Sequence, residues 1–301
     1  QIMGYGTLMY AYAVLLPHMA KDLDLSLSQI FGVLSVGLLF GGLVSPVSGY
    51  LTDCFGGRWV MVGGSVFAGL ALVAMSQVNT WQQLLITILV TEGAGMFVLY
   101  NVAFASVARL NLSVSTQRSI SIITLFGGVA STIFWPLTLA LFNSHGWQLT
   151  WMILGAAYLI VCLPIHALVL KGPERDNAAA GKTLTPNWPE LQGEARKLGM
   201  LWMVLSFIFS GYLMGAVMTL WVTNVQDLGH TAAMAALAGA VIGPFKTVGR
   251  FFEMLINQNM HPLKTYLLAL SLQFGGLVLL LSFGFSIIGI LIAAAVYGMG
   301  D

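Results

Sequence analysis

The sequence predicts an all-α polytopic membrane protein, on three observations. Of its 301 residues, 58% are hydrophobic and only 8% are Asp, Glu, Lys or Arg. Soluble domains carry about 25% charged residues. The mean hydropathy is +0.87. Apolar runs of about 20 residues, enough to cross a bilayer core, recur along the whole chain. Hydrocarbon offers no hydrogen bonds, so each run is expected to be a helix. This composition excludes a soluble enzyme, a nucleic-acid binder and a disordered chain. A net charge of +1 gives no field for a polyanion.

Ten runs are expected: 1–20, 28–51, 59–78, 82–108, 119–142, 149–170, 199–225, 231–257, 263–283 and 286–301. They are called spans 1 to 10 below. The first has no basic leader and no small-residue cleavage site, so it reads as a span rather than a signal peptide. Trp81, Trp147, Trp151 and Trp221 fall near span ends, where indoles are expected to anchor at the membrane surface. The chain starts at Gln1 rather than Met, and its last run stops at Asp301 before a full crossing. The expectation is a fragment, missing a little at the front and more at the back.

Lys and Arg set the orientation. Arg58, Arg109, Arg118, Lys171, Arg175, Lys182, Arg196, Lys197, Arg250 and Lys264 all fall on one side, and Lys21 on the other. The N-terminus and the even-numbered loops are therefore expected in the cytoplasm. Residues 171–198 form the one long polar stretch and divide the chain into 1–170, a central loop, and 199–301. The two parts repeat weakly. Gly49–Asp53 closes span 2 and Gly249–Glu253 closes span 8, each as Gly-x-x-x-acid. Asp22-Leu23 and Asp227-Leu228 also correspond. Repeats of six spans are a transporter architecture.

On these residues the chain resembles the major facilitator superfamily. The stretch Gly49-Tyr-Leu-Thr-Asp53-Cys-Phe-Gly56-Gly57-Arg58 matches that family's loop signature at Gly49, Leu51, Asp53, Gly56 and Arg58. It departs at Cys54 and Gly57, where basic residues are usual. The resemblance implies two six-helix bundles, of which about ten spans are present here. It also implies that the loop motif, with Gly249, Arg250 and Glu253 in the second half, latches the halves together at the cytoplasmic side. Span 4 keeps Gly93 and Gly95 but has Leu89 where an arginine is frequent, and span 5 lacks an antiporter-type Gly-Pro pattern. Both departures argue against a multidrug–proton antiporter.

The candidate site rests on ionisable residues inside spans, which are costly there and mark function or pairing. Glu92 lies in the middle of span 4 and Lys246 in the middle of span 8, after Pro244. Lys246, Arg250, Glu253 and Asn257 share one helix face. Lys246 is expected either to meet an anionic substrate, to pair with Glu92, or to snorkel towards water. A carboxyl held in hydrocarbon can carry a proton, so Glu92 is a candidate for coupling, for pairing, or for a structural hydrogen bond. Tyr5 and Tyr12 on span 1, Asn101 on span 4, and Tyr212 and Thr219 on span 7 are softer candidates. Gly37, Gly41, Ser45 and Gly49, with Gly211/Gly215 and Gly239/Gly243, read as packing seams. His18, His145, His166, His230 and His261 are dispersed, without metal-ligand spacing, and no cofactor is implied. The sequon at Asn111 is expected on the cytoplasmic side.

The expected function is secondary transport of a small organic solute by alternating access, in a bacterial-type inner membrane, by a monomer. Lys246 favours an anion, and Glu92 makes protons a second partner. The alternatives are a polytopic membrane enzyme, for which no catalytic constellation appears, and a transporter-like sensor without flux.

Overall fold

The computed structural model describes residues 1–109, 116–170, 192–256 and 262–301. Among these, every regular element is helical. The first segment is α1 (Ile2–Tyr5), a π turn (Gly6–Tyr10) and α2 (Ala11–Asp22). Next come α3 (Leu27–Met75), α4 (Trp81–Gly95), α5 (Tyr100–Arg109), α6 (Thr116–Gly128) and α7 (Ala130–Val169). The second half holds α8 (Gly193–Asp227), α9 (Ala232–Ile256), α10 (Pro262–Phe283) and α11 (Ile287–Gly300).

Six helical runs are long and apolar enough to cross a membrane: Leu27–Met75, Trp81–Arg109, Arg118–Val169, Gly193–Asp227, Ala232–Glu253 and Leu263–Phe283. This is fewer than the ten spans expected, and the difference has structural causes. A helix of 49 residues would be about 73 Å long, far more than a bilayer core of about 30 Å. It is two helices joined at Gly56, where φ is 76°. Gly146, with φ 74°, joins two helices in α7 in the same way. Only glycine takes that left-handed backbone freely. The first segment is cut by its π turn, and α11 has only 14 residues.

Local chemistry starts the helices. Ser26 and Gln29 form a reciprocal capping box for α3. Thr80 caps α4 and Ser286 caps α11 through backbone N–H groups. Two expected spans are broken. Span 4 tightens after Gly95, where Met96, Phe97 and Val98 donate to carbonyls three residues back. Gln1 Nε2 donates to the freed Val98 carbonyl at 3.0 Å. Span 5 breaks at Val129, between α6 and α7. Helix α8 begins at Gly193, six residues before span 7 was expected, so Glu194, Arg196 and Lys197 lie on its first turns. The remaining charges of the central loop, Lys171 to Glu190, lie outside the described residues, as do Asn111, Asn257 and His261.

The main core joins both halves. It gathers Leu8, Tyr10–Leu16, Met19, Leu72, Met75, Trp135 and Trp151 with Trp221, Val225, Ile242, Ile290 and Tyr297. Met19, Met75 and Val225 of this core lie at the helix ends away from Arg58, Arg109 and Arg250. At the basic end a separate small cluster, Val60, Met61, Val102 and Ala103, belongs to the first half alone. The indoles depart from expectation. Trp81 is 49% exposed, but Trp147, Trp151 and Trp221 are buried. Their N–H groups find internal acceptors: Asp22 at 2.6 Å, Met19 Sδ at 3.2 Å and the Ala235 carbonyl at 3.1 Å. A satisfied indole gains more from burial than from the interface.

Candidate functional site

The first deep charge, Glu92, is buried in α4. Small residues of α3 make room for it. A methyl group on Gly37 would lie 3.2 Å from Glu92 Cγ, and one on Gly41 would lie 3.2 Å from the Glu92 carbonyl oxygen. The Gly37–Gly41 seam is thus real and opens onto Glu92. Tyr12 is the side chain beside the carboxyl. The two make no well-aligned hydrogen bond, and Tyr12 Oη and Glu92 Oε1 are both buried without a partner.

Lys246 lies elsewhere. Its Nζ is 2.5 Å from Asp301 Oδ2, with the side chains 11% and 4% exposed. It does not pair with Glu92. Its stem packs across the halves on Gly128 of α6, where an added methyl would lie 3.4 Å from the lysine. Tyr10 and Tyr100 stand beside the ammonium. Tyr5 packs on Tyr100 with ring centroids 4.5 Å apart, and Tyr10 meets Trp135 edge-on at 5.1 Å. Trp135 in turn stacks on Trp221 of α8 at 6.5 Å. The expected Tyr5–Tyr12 face is split, because the π turn between them re-aims the chain. Tyr12 serves Glu92, and Tyr5 serves the lysine cluster.

The halves meet tightly around this cluster. Methyl groups on Gly239 and Gly243 would strike the Trp135 ring at 2.1 Å and the Gly128 carbonyl oxygen at 2.5 Å. Thr132 Oγ1 donates to the Ala240 carbonyl at 2.8 Å, and Thr247 Oγ1 to the Leu125 carbonyl at 3.3 Å. The Gly239/Gly243 seam is therefore the crossing of α7 and α9.

The softer candidates scatter. Asn101 is exposed and donates to Ser45 Oγ at 3.3 Å, tying α5 to α3. Tyr212 is 76% exposed and lies outside the buried cluster. Thr219 bonds back to the Gly215 carbonyl at 2.7 Å, a bond within its own helix.

At the basic end, Asp53 pairs with Arg109, whose Nη1 also donates to the Thr52 carbonyl at 2.9 Å. Arg58 instead lies over the Trp59 ring, 4.9 Å from its centroid. Gly49 has open space around it, while Gly57 sits against Ser106 so closely that no side chain fits. That contact accounts for the glycine found where a basic residue was expected. In the second half Arg250 reaches Glu253 at 3.4 Å and the Asp301 carbonyl at 3.1 Å. Gly249 presses on Met299, where a methyl would lie 2.4 Å from a carbonyl oxygen. Sequence reasoning missed Tyr10, Tyr100, Trp135, Arg109 and Asp301 as partners. The aromatic richness of the 1–12 and 97–104 stretches is a signal for Tyr10 and Tyr100 alone.

The helices define a multi-pass membrane protein of two halves with a buried charged cluster between them. Comparison with known proteins names the class. The chain belongs to the Major Facilitator Superfamily, whose family model matches residues 2–301. It is 27% identical to monocarboxylate transporter 1 of Bos taurus over 49% of this chain and 29% of that protein. It is 28% identical to the 4-hydroxybenzoate transporter PcaK of Pseudomonas putida over 72% of this chain and 54% of that protein. The chain thus spans about half or less of these relatives. Among solved structures, a mutant of the nucleoside transporter NupG superposes with a TM-score of 0.72 at 16% identity, covering 100% of this chain and 77% of the other. A D-xylose-proton symporter gives 0.65 at 14% identity, covering 99% and 79%. At these identities the two structures speak for the fold alone.

Proposed function

We propose that this chain is part of a secondary transporter that moves a small organic anion by alternating access. The observation that carries the reading is Lys246, buried between the halves and balanced by Asp301. An ammonium in such a place attracts an anion that can replace its internal counter-ion. Two relatives whose names specify carboxylates support the choice of anion. The moving units are 1–170 and 199–301, linked by 171–198. Their shared core at the non-basic end is the closed side, and the basic end is the side that opens here. Asp53 with Arg109, Arg58, Gly49 and Gly56, together with Gly249, Arg250 and Glu253, form the latch of the basic end. The protein sits in the inner (plasma) membrane as a monomer, with the N-terminus and central loop in the cytoplasm.

Glu92 supports proton coupling as part of the same reading. It is buried without a charged partner, beside Tyr12. A group so placed exchanges a proton with less disturbance than one locked in an ion pair.

The test is uptake of radiolabelled lactate, benzoate and a neutral sugar into proteoliposomes holding the full-length protein. Carboxylate uptake that Lys246→Gln abolishes is the expected result. Uptake of the sugar alone, or carboxylate uptake unchanged by Lys246→Gln, overturns the anion reading. In Glu92→Gln, proton-driven uptake is expected to stop while carboxylate exchange continues. Loss of both removes Glu92 from coupling.

A further inference from the structure

Three buried polar atoms next to the lysine cluster have no hydrogen-bond partner among the described residues: Ser131 Oγ, Trp135 Nε1 and Tyr297 Oη. All three residues are 0% exposed. Buried polar groups are almost always satisfied, because an orphan loses its hydration with nothing in return. Three orphans in one place call for an explanation.

They belong to one neighbourhood. Tyr10 stands at its centre, with Lys246 and Ser131 beside its hydroxyl. The Trp135 ring lies 5.1 Å from that of Tyr10. Tyr297 lies on α11, one turn before Asp301, the partner of Lys246. Ser131 and Trp135 are four residues apart on α7, hence on one face, and that face meets α9 at Gly243 and Gly239. The orphans therefore stand on surfaces of both halves, and they part when the halves move.

Their chemistry is selective. An indole N–H only donates, and serine and tyrosine hydroxyls both donate. The site thus offers hydrogen-bond donors in addition to an ammonium. Its walls are aromatic faces, which favour a flat, polarisable guest over an aliphatic one. A short aliphatic acid would leave both the rings and the donors unused.

We infer that Ser131, Trp135 and Tyr297 form a second polar anchor, and that the substrate is a planar aromatic monocarboxylate with an oxygen substituent on its ring. The carboxylate takes Lys246, the ring lies among Tyr10, Tyr100 and Trp135, and the ring oxygen accepts from the orphaned donors. This rests on the anion-transport reading above and names its substrate class.

The experiment measures binding to the full-length protein in nanodiscs, by isothermal titration, with benzoate, 3- and 4-hydroxybenzoate, and lactate as probes. At least one hydroxybenzoate is expected to bind about tenfold tighter than benzoate, the factor that one net hydrogen bond supplies, with lactate weaker than both. Ser131→Ala and Tyr297→Phe each remove little more than one oxygen, so they preserve packing. They are expected to bring the hydroxybenzoate-to-benzoate ratio close to one and leave benzoate nearly unchanged. Lys246→Gln is expected to weaken all the acids while keeping the ratio. Equal binding of benzoate and both hydroxybenzoates, tighter binding of lactate, or a ratio unchanged in both oxygen-deletion variants overturns the anchor. A ratio that persists while Lys246→Gln leaves every affinity intact keeps the anchor and overturns the ionic reading instead.

Discussion

Each half carries one charged residue in the middle of a span, and the two are treated in opposite ways. Glu92 of the first half lies under the glycine seam of α3 with Tyr12 beside it and, among the described residues, no cation partner. Lys246 of the second half has an anion, Asp301, at 2.5 Å, and sits where the halves touch. A charge removed from water needs either a partner or a proton change. The second half supplies the partner, and the first leaves the proton as the means of relief. In the transport proposed above, Lys246 is the residue that trades counter-ions and Glu92 the one that trades protons.

The largest effect expected tests this contrast directly. Asp301→Ala leaves Lys246 buried and unpaired, a change that costs about 3–5 kcal/mol. Thermal melting of the detergent-purified protein is expected to show a deep loss. The double variant Lys246→Met/Asp301→Leu is expected to recover most of it and still fail in uptake. An Asp301→Ala protein that melts like the native one breaks the contrast, because the ion pair would then carry no stability. Glu92→Gln is expected to move the melting point much less, since it breaks no ion pair. A loss as deep as that of Asp301→Ala would place a cation next to Glu92 and make the halves alike.

Both residues stand out in the sequence, because a charge inside an apolar run is legible without a structure. Their partners do not. Asp301 comes near Lys246, and Arg109 near Asp53, through helix packing that local patterns do not encode. The spans were legible as apolar runs, and Gly56 fell in the turn expected after span 2. The π turn at Gly6–Tyr10 and the breaks after Gly95 and Gly128 were hidden, because apolar periodicity continues across all three. Trp147, Trp151 and Trp221 misled for a related reason. Position near a span end suggests an interface, but burial was decided by acceptors on distant segments, Asp22 among them.

The repeated glycines compare the halves at a smaller scale. A methyl on Gly249 would lie 2.4 Å from the Met299 carbonyl oxygen, whereas Gly49 has nothing within 4 Å. Backbone cannot step aside as a side chain can. Gly249→Ala is therefore expected to cost about 1–3 kcal/mol through overpacking. Gly49→Ala is expected to stay within about 0.5 kcal/mol. Melting of the two variants side by side checks this. Equal losses would show that Gly49 is closely packed in the working protein and that the repeat is symmetric after all.

The smallest effect belongs to the ion pair of the basic end. Asp53 is 67% exposed and Arg109 34%, so water screens the pair, and such pairs contribute about 0–1 kcal/mol. Asp53→Asn is expected to lower the melting point slightly, and the difference is expected to shrink in about 1 M salt, where screening acts within a few ångströms. Arg109→Ala is expected to cost more than Asp53→Asn, because it also removes the bond to the Thr52 carbonyl at 2.9 Å. A salt-independent loss from Asp53→Asn, comparable with that of Asp301→Ala, would mean that the basic end is covered in the working protein. The contrast between a buried, obligatory ion pair in one half and an exposed, dispensable one in the other would then fall.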